Sequence, residues 1–465
     1  GSFGAVGADQ SAIGINVAGL GLYRKSDFNL TFNNNSNSGK YKLEGDPSNT
    51  ILKDNKNKFD ISSLGLVLAK SHPSYSNWTS SNWYIGYNKT ASYNQDLSFV
   101  GLSRGSIVHR FLENSLDPNN KGRGIPSDQL DEFESKLAYE TGAIFDISQD
   151  SNIIIYSNDL INHSNNLIPK KGTFQQQGYQ GNLSFAYATN YKEKFLFGLG
   201  LDLPTGRYQI DKTYEENSNS PILNPFINLK FTEKQVSEIS GVKGNVGFIF
   251  KPINTFRIGL SWHTPTLLSF SDTYNTGLIY RFQGKNGSEE YSSNSPDGEY
   301  SYNIIVPSKW IGSAAYVSKY GLINVDLDYF QPDKTRFKFK EASEQSYEEF
   351  LNQDIKKQYK SVLQTRIGLE IPINKLRIRG GIGILPSAYS NEEKNYFSWS
   401  TGLGYRGRSF YFDLASTSSK SNSAYIPFTT GNSDFDGDGK ADAVSSKVQS
   451  SLSVTNISLS LGFRF

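Results

Sequence analysis

The densest set of chemistry-bearing residues in this 465-residue chain is Asp434-Phe435-Asp436-Gly437-Asp438-Gly439-Lys440-Ala441-Asp442. Carboxylates at positions one, three, five and nine, with Gly at six, match the first nine positions of an EF-hand-type calcium loop. Hard oxygen ligands suit Ca2+, Gly439 permits the sharp turn, and Lys440 would offer its backbone carbonyl. Position twelve is Ser445 rather than a bidentate Glu. The spacing therefore predicts a structural Ca2+ site of modest affinity and no helix pair, against the plainer reading of an acidic, solvated turn. A second set of charges is Asp326 and Asp328, then Arg366 and Glu370, then Arg377 and Arg379. If these lie on adjacent strands, about 4.8 Å apart, opposite charges can pair across the ladder. One reading is a charge-neutralised interior; the other is an anion site in which Arg377 and Arg379 receive a carboxylate headgroup. Catalytic chemistry is poorly supported. The histidines His72, His109, His163 and His263 show no metal spacing. Ser261 and His263 on one strand face would stand about 7 Å apart, too far for a nucleophile–base hydrogen bond. The Gly-rich runs 198–206 and 380–383 lack the strand-turn-helix setting of a phosphate loop. The expectation is a protein that is not an enzyme.

These residues sit in a chain built of alternating segments. At the end, Ile457, Leu459, Leu461, Phe463 and Phe465 alternate with Ser458, Ser460, Gly462 and Arg464, putting apolar residues on one strand face and polar residues on the other. The charges above occupy the polar parity of similar segments. Ile323, Val325, Leu327 and Tyr329 oppose Asp326 and Asp328; Leu363, Ile367, Leu369 and Ile371 oppose Arg366 and Glu370; Leu376, Ile378, Ile382 and Ile384 oppose Arg377 and Arg379. The pattern recurs around Leu66, Ile85, Phe185, Leu199, Val246, Leu260 and Phe412. A membrane-spanning β-strand needs roughly 9–11 such residues, apolar toward lipid and polar toward the lumen. The terminal aromatic resembles the C-terminal signature of Gram-negative outer-membrane barrels.

Composition agrees. The chain holds 58 Tyr and Phe and 42 Gly, and its mean hydropathy of −0.49 is compatible with a barrel because half of every strand is polar. No stretch approaches the roughly 20 apolar residues of a membrane helix. The absence of Cys excludes disulfides and Cys-ligated metal. The absence of Met, initiator included, predicts a processed or trimmed chain from which a signal peptide is gone. A net charge of +2 argues against a nucleic-acid partner.

The connections fall into two populations. Short ones are expected at 72–80, 191–194, 251–255, 319–321, 372–375 and 405–407. Long polar ones are expected at 33–57, 99–173, 209–233, 272–299, 336–358, 386–395 and 421–450. Short periplasmic turns alternating with long extracellular loops predict an all-β transmembrane antiparallel barrel of about fourteen strands. Its first strand would start near Lys25, its last near Ser451, and its C-terminus would be periplasmic. Within 99–173, Ile107, Val108, Phe111, Leu112 and Leu116, then Leu130, Phe133, Leu137 and Ala138, recur at helical spacing. Such helices would bury their faces together or leave a groove for an acyl chain. Residues 1–25 are rich in Gly, Ala and Ser and lack alternation; a small-residue segment packs well in a closed space, which predicts a plug inside the barrel of residues 26–465.

The small-residue start followed by Asp9-Gln10-Ser11-Ala12-Ile13-Gly14-Ile15-Asn16-Val17-Ala18-Gly19-Leu20 resembles the N-terminal hatch of the FadL/TodX-type long-chain fatty-acid transport family. Residues 259–274 (GLSWHTPTLLSFSDTY), 306–316 (VPSKWIGSAAY) and 321–329 are similar to that family's central strands. The resemblance implies a fourteen-stranded barrel in the Gram-negative outer membrane, surrounded by outer-membrane lipid. It further implies a hatch gate at Ile13, Ile15, Asn16, Val17, Ala18 and Gly19, and passive uptake of hydrophobic small molecules that leave sideways through a gap in the wall. Val17 stands where the family typically has proline, so that turn lacks a fixed φ. FadL-like barrels also serve in the type 9 secretion system, which leaves a second expectation open: a non-transporting subunit or docking platform bound to other outer-membrane proteins.

Overall fold

The structure, a computed structural model, describes residues 4–465 apart from 8, 119, 151–152, 219, 436 and 438. Its core is a closed antiparallel barrel of fourteen strands. They are β1 Asp27–Leu43, β2 Ile51–Ser71, β3 in two pieces (Trp78–Ser92 and Gln95–Ser103), β4 Ile168–Tyr191, β5 Phe195–Asn217 and β6 Phe226–Ile253. Next come β7 in two pieces (Phe256–His263 and Thr266–Gly284) and β8 in three (Gly287–Asn294, Gly298–Val306 and Lys309–Ser318). The remainder are β9 Gly321–Phe330, β10 Val362–Ile373, β11 Leu376–Pro386, β12 Asn395–Arg406, β13 Phe410–Tyr425 and β14 Val448–Arg464. The ends meet: β1 pairs with β14 from Asp27↔Arg464 to Leu43↔Val448. Closure leaves no free edge along this seam, which is what a lipid environment demands of a sheet. Among the described residues no helix is long and apolar enough to cross a membrane.

Alternation does the sorting that the sequence implies. On β5, Leu199, Leu201 and Leu203 are exposed on the outside while Leu196 and Asp202 are buried inside. Trp83, Leu260, Trp310, Leu369, Trp399 and Leu459 are likewise exposed. Aromatic pairs such as Trp83–Tyr187 and Trp262–Trp310 form on that outer face, with ring centroids 4.7 and 5.9 Å apart. An apolar belt this continuous is stable only against an apolar surrounding.

All the short connections lie at one end, with both termini of the barrel, as expected. The long connections lie at the other end but are shorter than the sequence suggests. Residues 33–57 are mostly strand, paired from Asn33↔Asp60 to Lys42↔Ile51. Residues 209–233 continue β5 and β6, paired from Gln209↔Val236 to Asn217↔Asn228. These upper reaches stand beyond the apolar belt, so their outer faces are largely polar; inner-face residues such as Tyr41, Tyr214, Phe226, Leu229 and Phe231 are buried, but the polar residues around them blur the alternation.

Of the remaining loops, 104–167 is the largest. It carries helices α2 Ile107–Asn114 and α3 Ser135–Glu140; α1 is a single turn, Gln10–Ile13, in the N-terminal segment. The apolar faces of α2 and α3 are buried in one core with Tyr41, Phe99, Phe226, Phe231 and Tyr280. Of the two arrangements open to these helices, the structure shows the packed one: they cap the end of the barrel that carries the long connections. The helix α4, Gln345–Gln358, lies outside that core and has no buried residue.

Candidate functional site in the barrel lumen

The N-terminal segment lies in the lumen, bonded to inward-facing side chains of the strands and to residues near the end that carries the short turns. After the turn α1, residues Val17–Leu22 form a 3-10 helix whose cap is Asn16: its side chain accepts from Ala18 N at 3.1 Å and donates to Phe248 O at 3.2 Å. The Ile15 carbonyl lies 3.2 Å from His263 Nε2. Asn82 donates to Leu20 O and Tyr23 O at 2.7 and 3.0 Å, and Ser80 to Gly21 O at 2.9 Å. Arg257 donates to Val6 O, and Gly4 N donates to Asp326 Oδ1 at 3.2 Å. Ile13, Val17, Ala18, Gly19 and Leu20 are all buried.

Glycines of the wall make this approach possible. A Cβ on Gly198 would stand 2.6 Å from Ala18 N, one on Gly247 2.2 Å from Asn16 Oδ1, and one on Gly259 2.9 Å from Gly4 O. Real side chains cannot occupy such positions, so β5, β6 and β7 present a bare floor on which the N-terminal backbone rests. Within the segment, Gly7 and Gly19 touch in the same manner. The Gly-rich run at 198–206 thus has a definite task at its first residue.

The opposite wall stays open. A cavity of about 330 Å³ lies between the N-terminal segment and strands β10–β14, β1 and β2. Its lining mixes small polar residues such as Asn29, Thr31, Ser400 and Ser458 with Leu369, Ala415, Tyr411 and Arg379, and with Asp9 and Gln10 from the N-terminal segment. It also reaches Ser62, Ser63 and Asn88. That is where β2 and β3 part: their ladder runs from Ser71↔Ser80 only as far as Ser63↔Asn88. Beyond it, the upper piece of β3 pairs with β4 alone, from Gln95↔Gln176 to Ser103↔Ile168. Side chains bridge the parting. Asp54 accepts from Ser98 N and Oγ, both at 2.6 Å, Lys56 meets Asp96 at 2.6 Å, and Lys89 pairs with Asp60.

The lumen charges assemble as two clusters. Arg366 lies 2.8 Å from Asp328 and 3.7 Å from Asp326, and Lys309 lies 2.6 Å from Asp328. Arg379 lies 2.6 Å from Glu370 and 2.5 Å from Asp413, with Arg377 3.6 Å from Glu370 and Arg406 2.9 Å from Asp413. Each arginine nominated as an anion contact thus has a carboxylate at hand. An incoming headgroup would have to displace Glu370 or Asp413 from Arg379.

In the acidic loop, Asp436 and Asp438 lie outside the described residues. Of the others, Asp434 accepts from Gly437 N and Gly439 N at 2.8 and 2.9 Å, and Asp442 accepts from Phe435 N at 2.8 Å. Gly437 and Gly439 adopt φ of 76° and 83°, the left-handed conformation that glycine tolerates. This loop holds Phe435 against His109 of the cap.

One feature at the end that carries the long connections was not anticipated from the sequence. Phe270, Tyr300, Tyr302, Phe337, Phe339 and Tyr347 form a continuous aromatic array, with neighbouring ring centroids 5.2–6.4 Å apart. Its signal was present in the period-two aromatics Tyr300/Tyr302 and Phe337/Phe339, but the second pair falls in the tract 336–358 assigned to a loop and the first directly follows the tract 272–299.

No family model matches the sequence, and no curated protein does. Solved structures share the fold. A FadL homologue from Pseudomonas aeruginosa superposes with a TM-score of 0.55 at 11% identity, over 100% of this chain and 96% of that one. The toluene transporter TodX from P. putida does so with a TM-score of 0.51 at 11% identity, over 100% and 94%. A second structure of TodX from Pseudomonas putida gives 0.51 at 12% identity, over 99% and 95%. The likeness runs the full length, and at such identity it establishes the fold: the FadL-type barrel expected from the sequence.

Proposed function

We propose that this chain is an outer-membrane channel for passive uptake of hydrophobic small molecules, fatty-acid-like or aromatic. Residues 1–25 act as its hatch and the C-terminus faces the periplasm. The observation that carries the reading is the meeting of three features at one place. The N-terminal segment fills one side of the lumen, a cavity lies beside it, and that cavity reaches the wall where β2 and β3 lose their ladder. A ligand held beside the segment would have a sideways exit across Ser62, Ser63 and Asn88. The ion-pair clusters serve in this reading to fix the floor and, through Asp326, to hold the segment. Two of the solved structures that share the fold are of a toluene transporter, which supports the ligand class. The test is uptake of labelled oleate and of labelled toluene into proteoliposomes holding the folded protein. Rates above those of empty liposomes support the channel; rates no higher than those of empty liposomes for both compounds overturn it.

A second reading has its own observation. The end that carries the long connections is closed by a packed apolar core, while α4 exposes Tyr347 (55%) and Phe350 (64%). A capped mouth beside an unburied aromatic helix suits a subunit or docking platform of a larger outer-membrane assembly. Purification from native membranes in mild detergent, followed by mass spectrometry, separates the two. Stoichiometric partner proteins with no bound small molecule favour the subunit; a lone barrel with a lipid-like or aromatic molecule favours the channel.

A further inference from the structure

The outward faces of four adjacent strands, β13, β14, β1 and β2, carry cations and not one Asp or Glu. Above the apolar belt, β1 presents Asn34, Ser36, Ser38, Lys40 and Lys42, and β2 presents Asn57, Asn55 and Lys53. Lys40 and Lys53 are register partners, so two like charges stand directly opposite each other. Lys42 follows on the same face, and Lys420 lies on the neighbouring outward row of β13, opposite Ser453. Such pairing is unfavourable unless something anionic intervenes. Among the described residues, none of these four lysines has a carboxylate within 4.0 Å. The acids of the same strands point inward and are engaged there: Asp27 by Tyr411, Asp54 by Ser98, Asp60 by Lys89 and Asp413 by Arg379.

The far wall shows that this is a local departure. On β5 and β6 the outward charges face opposite signs, Asp211↔Lys234 and Glu215↔Lys230. Beside the lysine row opens a cleft of about 690 Å³, lined among others by Lys40, Lys42, Ile51, Asn422 and Gln449. Its one carboxylate, Glu392, is neutralised by Lys394 at 2.8 Å. Height also matters. Lys40 follows Phe32, the last outward apolar residue of β1, by about 27 Å along the strand, or about 20 Å of height at the usual tilt. The rows between are Ser, Thr and Asn, namely Asn34, Ser36, Ser38, Asn55, Asn57, Ser453 and Thr455.

We propose that this face binds the phosphorylated saccharide headgroup of an outer-leaflet glycolipid. Acyl chains would lie on the apolar belt, sugar hydroxyls on the Ser and Asn rows, and phosphates on Lys40, Lys42, Lys53 and Lys420. Charge complementarity and continuity with the belt select this occupant. The inference rests on the membrane orientation proposed above.

The test reconstitutes the full chain in phosphatidylcholine nanodiscs and titrates in phosphorylated lipopolysaccharide, with bound lipid counted by native mass spectrometry. Parallel titrations use the same lipid after phosphatase treatment, and inorganic phosphate. The comparison protein is the quadruple variant Lys40→Gln, Lys42→Gln, Lys53→Gln, Lys420→Gln, with folding verified by heat-dependent mobility on gels. The expected result is stoichiometric binding of the phosphorylated lipid, weakened about tenfold or more in the variant and equally by phosphatase. Equal binding by the two proteins overturns the proposal, as does inorganic phosphate displacing the lipid at the same concentration. Should the quadruple variant not fold, Lys40→Gln with Lys53→Gln decides on the same criteria. Failure of the protein to insert into the bilayer at all would sink the outer-membrane reading instead, so the two failures are distinguishable.

Discussion

At the level of single residues, the glycines beneath the N-terminal segment matter more than any charged group near it. The Gly247 Cα faces Asn16 so closely that an added methyl would overlap Asn16 Oδ1 at 2.2 Å and Ala18 N at 2.7 Å. Either the strand or the segment must move, and the strand is locked on both sides by its ladders. Gly247→Ala should therefore displace the segment at a cost of about 1–3 kcal/mol while the barrel stays folded. Limited proteolysis should then cut residues 1–25 faster than in the parent protein, with unchanged heat-dependent gel mobility of the barrel. A second residue-level expectation concerns the acidic loop, where we propose a Ca2+ site formed by Asp434, Asp436, Asp438, Lys440 through its carbonyl, and Asp442. If the ion binds the folded state alone, calcium at about a hundredfold excess over Kd adds about 2.7 kcal/mol. The melting temperature should rise with calcium and fall on adding a chelator, and Asp434→Asn should abolish the difference. A melting temperature indifferent to both would leave the loop as an acidic turn.

Elements were legible in the sequence only where two solvents met across a strand. Within the lipid belt each strand has an apolar and a polar face, so Leu199 and Asp202, or Leu327 and Asp328, announce their directions. Above the belt the outer face loses its apolar residues and the inner face turns polar in places, as at the buried Asn35 and Asn37, so the tract around Asn33 to Asn37 carries no periodicity although it forms strand all the same. The closures of β1 on β14 and the short turns were readable for the first reason; the long upper strands were not for the second. The N-terminal contacts were half legible: small residues implied close packing, but the partner glycines on β5, β6 and β7 are distant in sequence. The helix α2 illustrates a further limit. Its apolar spacing marked it as a helix, yet only the fold shows that His109 on it is fully buried, with Nε2 at 3.2 Å from Leu160 O. Burial holds this imidazole below its ordinary 6.5, outweighing the Leu160 carbonyl, Glu216 and Asp442, which favour its charge, while Lys170 opposes it. The unfolded loop thus takes up the proton first as pH falls. The stabilising contribution is whole above about pH 6.5 and is lost progressively below it. Hydrogen exchange across 104–114 should accelerate on acidification below that point, and His109→Gln should flatten the response.

For the whole molecule, the lumen is obstructed twice in series: by the N-terminal segment near the end with the short turns and by the loop core at the end with the long connections. The two obstructions meet some of the same strands at different heights: β6 bonds the segment at Phe248 and packs against the cap at Phe226 and Phe231. The segment is held by side-chain and backbone hydrogen bonds to the wall, whereas the cap is held by apolar burial around Phe111, Phe226 and Phe231. Neither is needed to close the barrel, because β1 and β14 pair over their full lengths without them. Obstructions in series add as resistances, so removing one leaves the other in control of flow. Deleting residues 1–22 should leave a folded barrel whose single-channel conductance in planar bilayers barely changes, since the cap still stands. Deleting residues 1–22 together with 107–140 should produce a stepwise, long-lived conductance. A large open conductance from the first deletion alone would show that the cap leaks and that the N-terminal segment is the sole gate. No conductance from the double deletion, in a barrel that still shifts on heating, would show that other loops seal the mouth, and would move the balance toward a subunit that never opens.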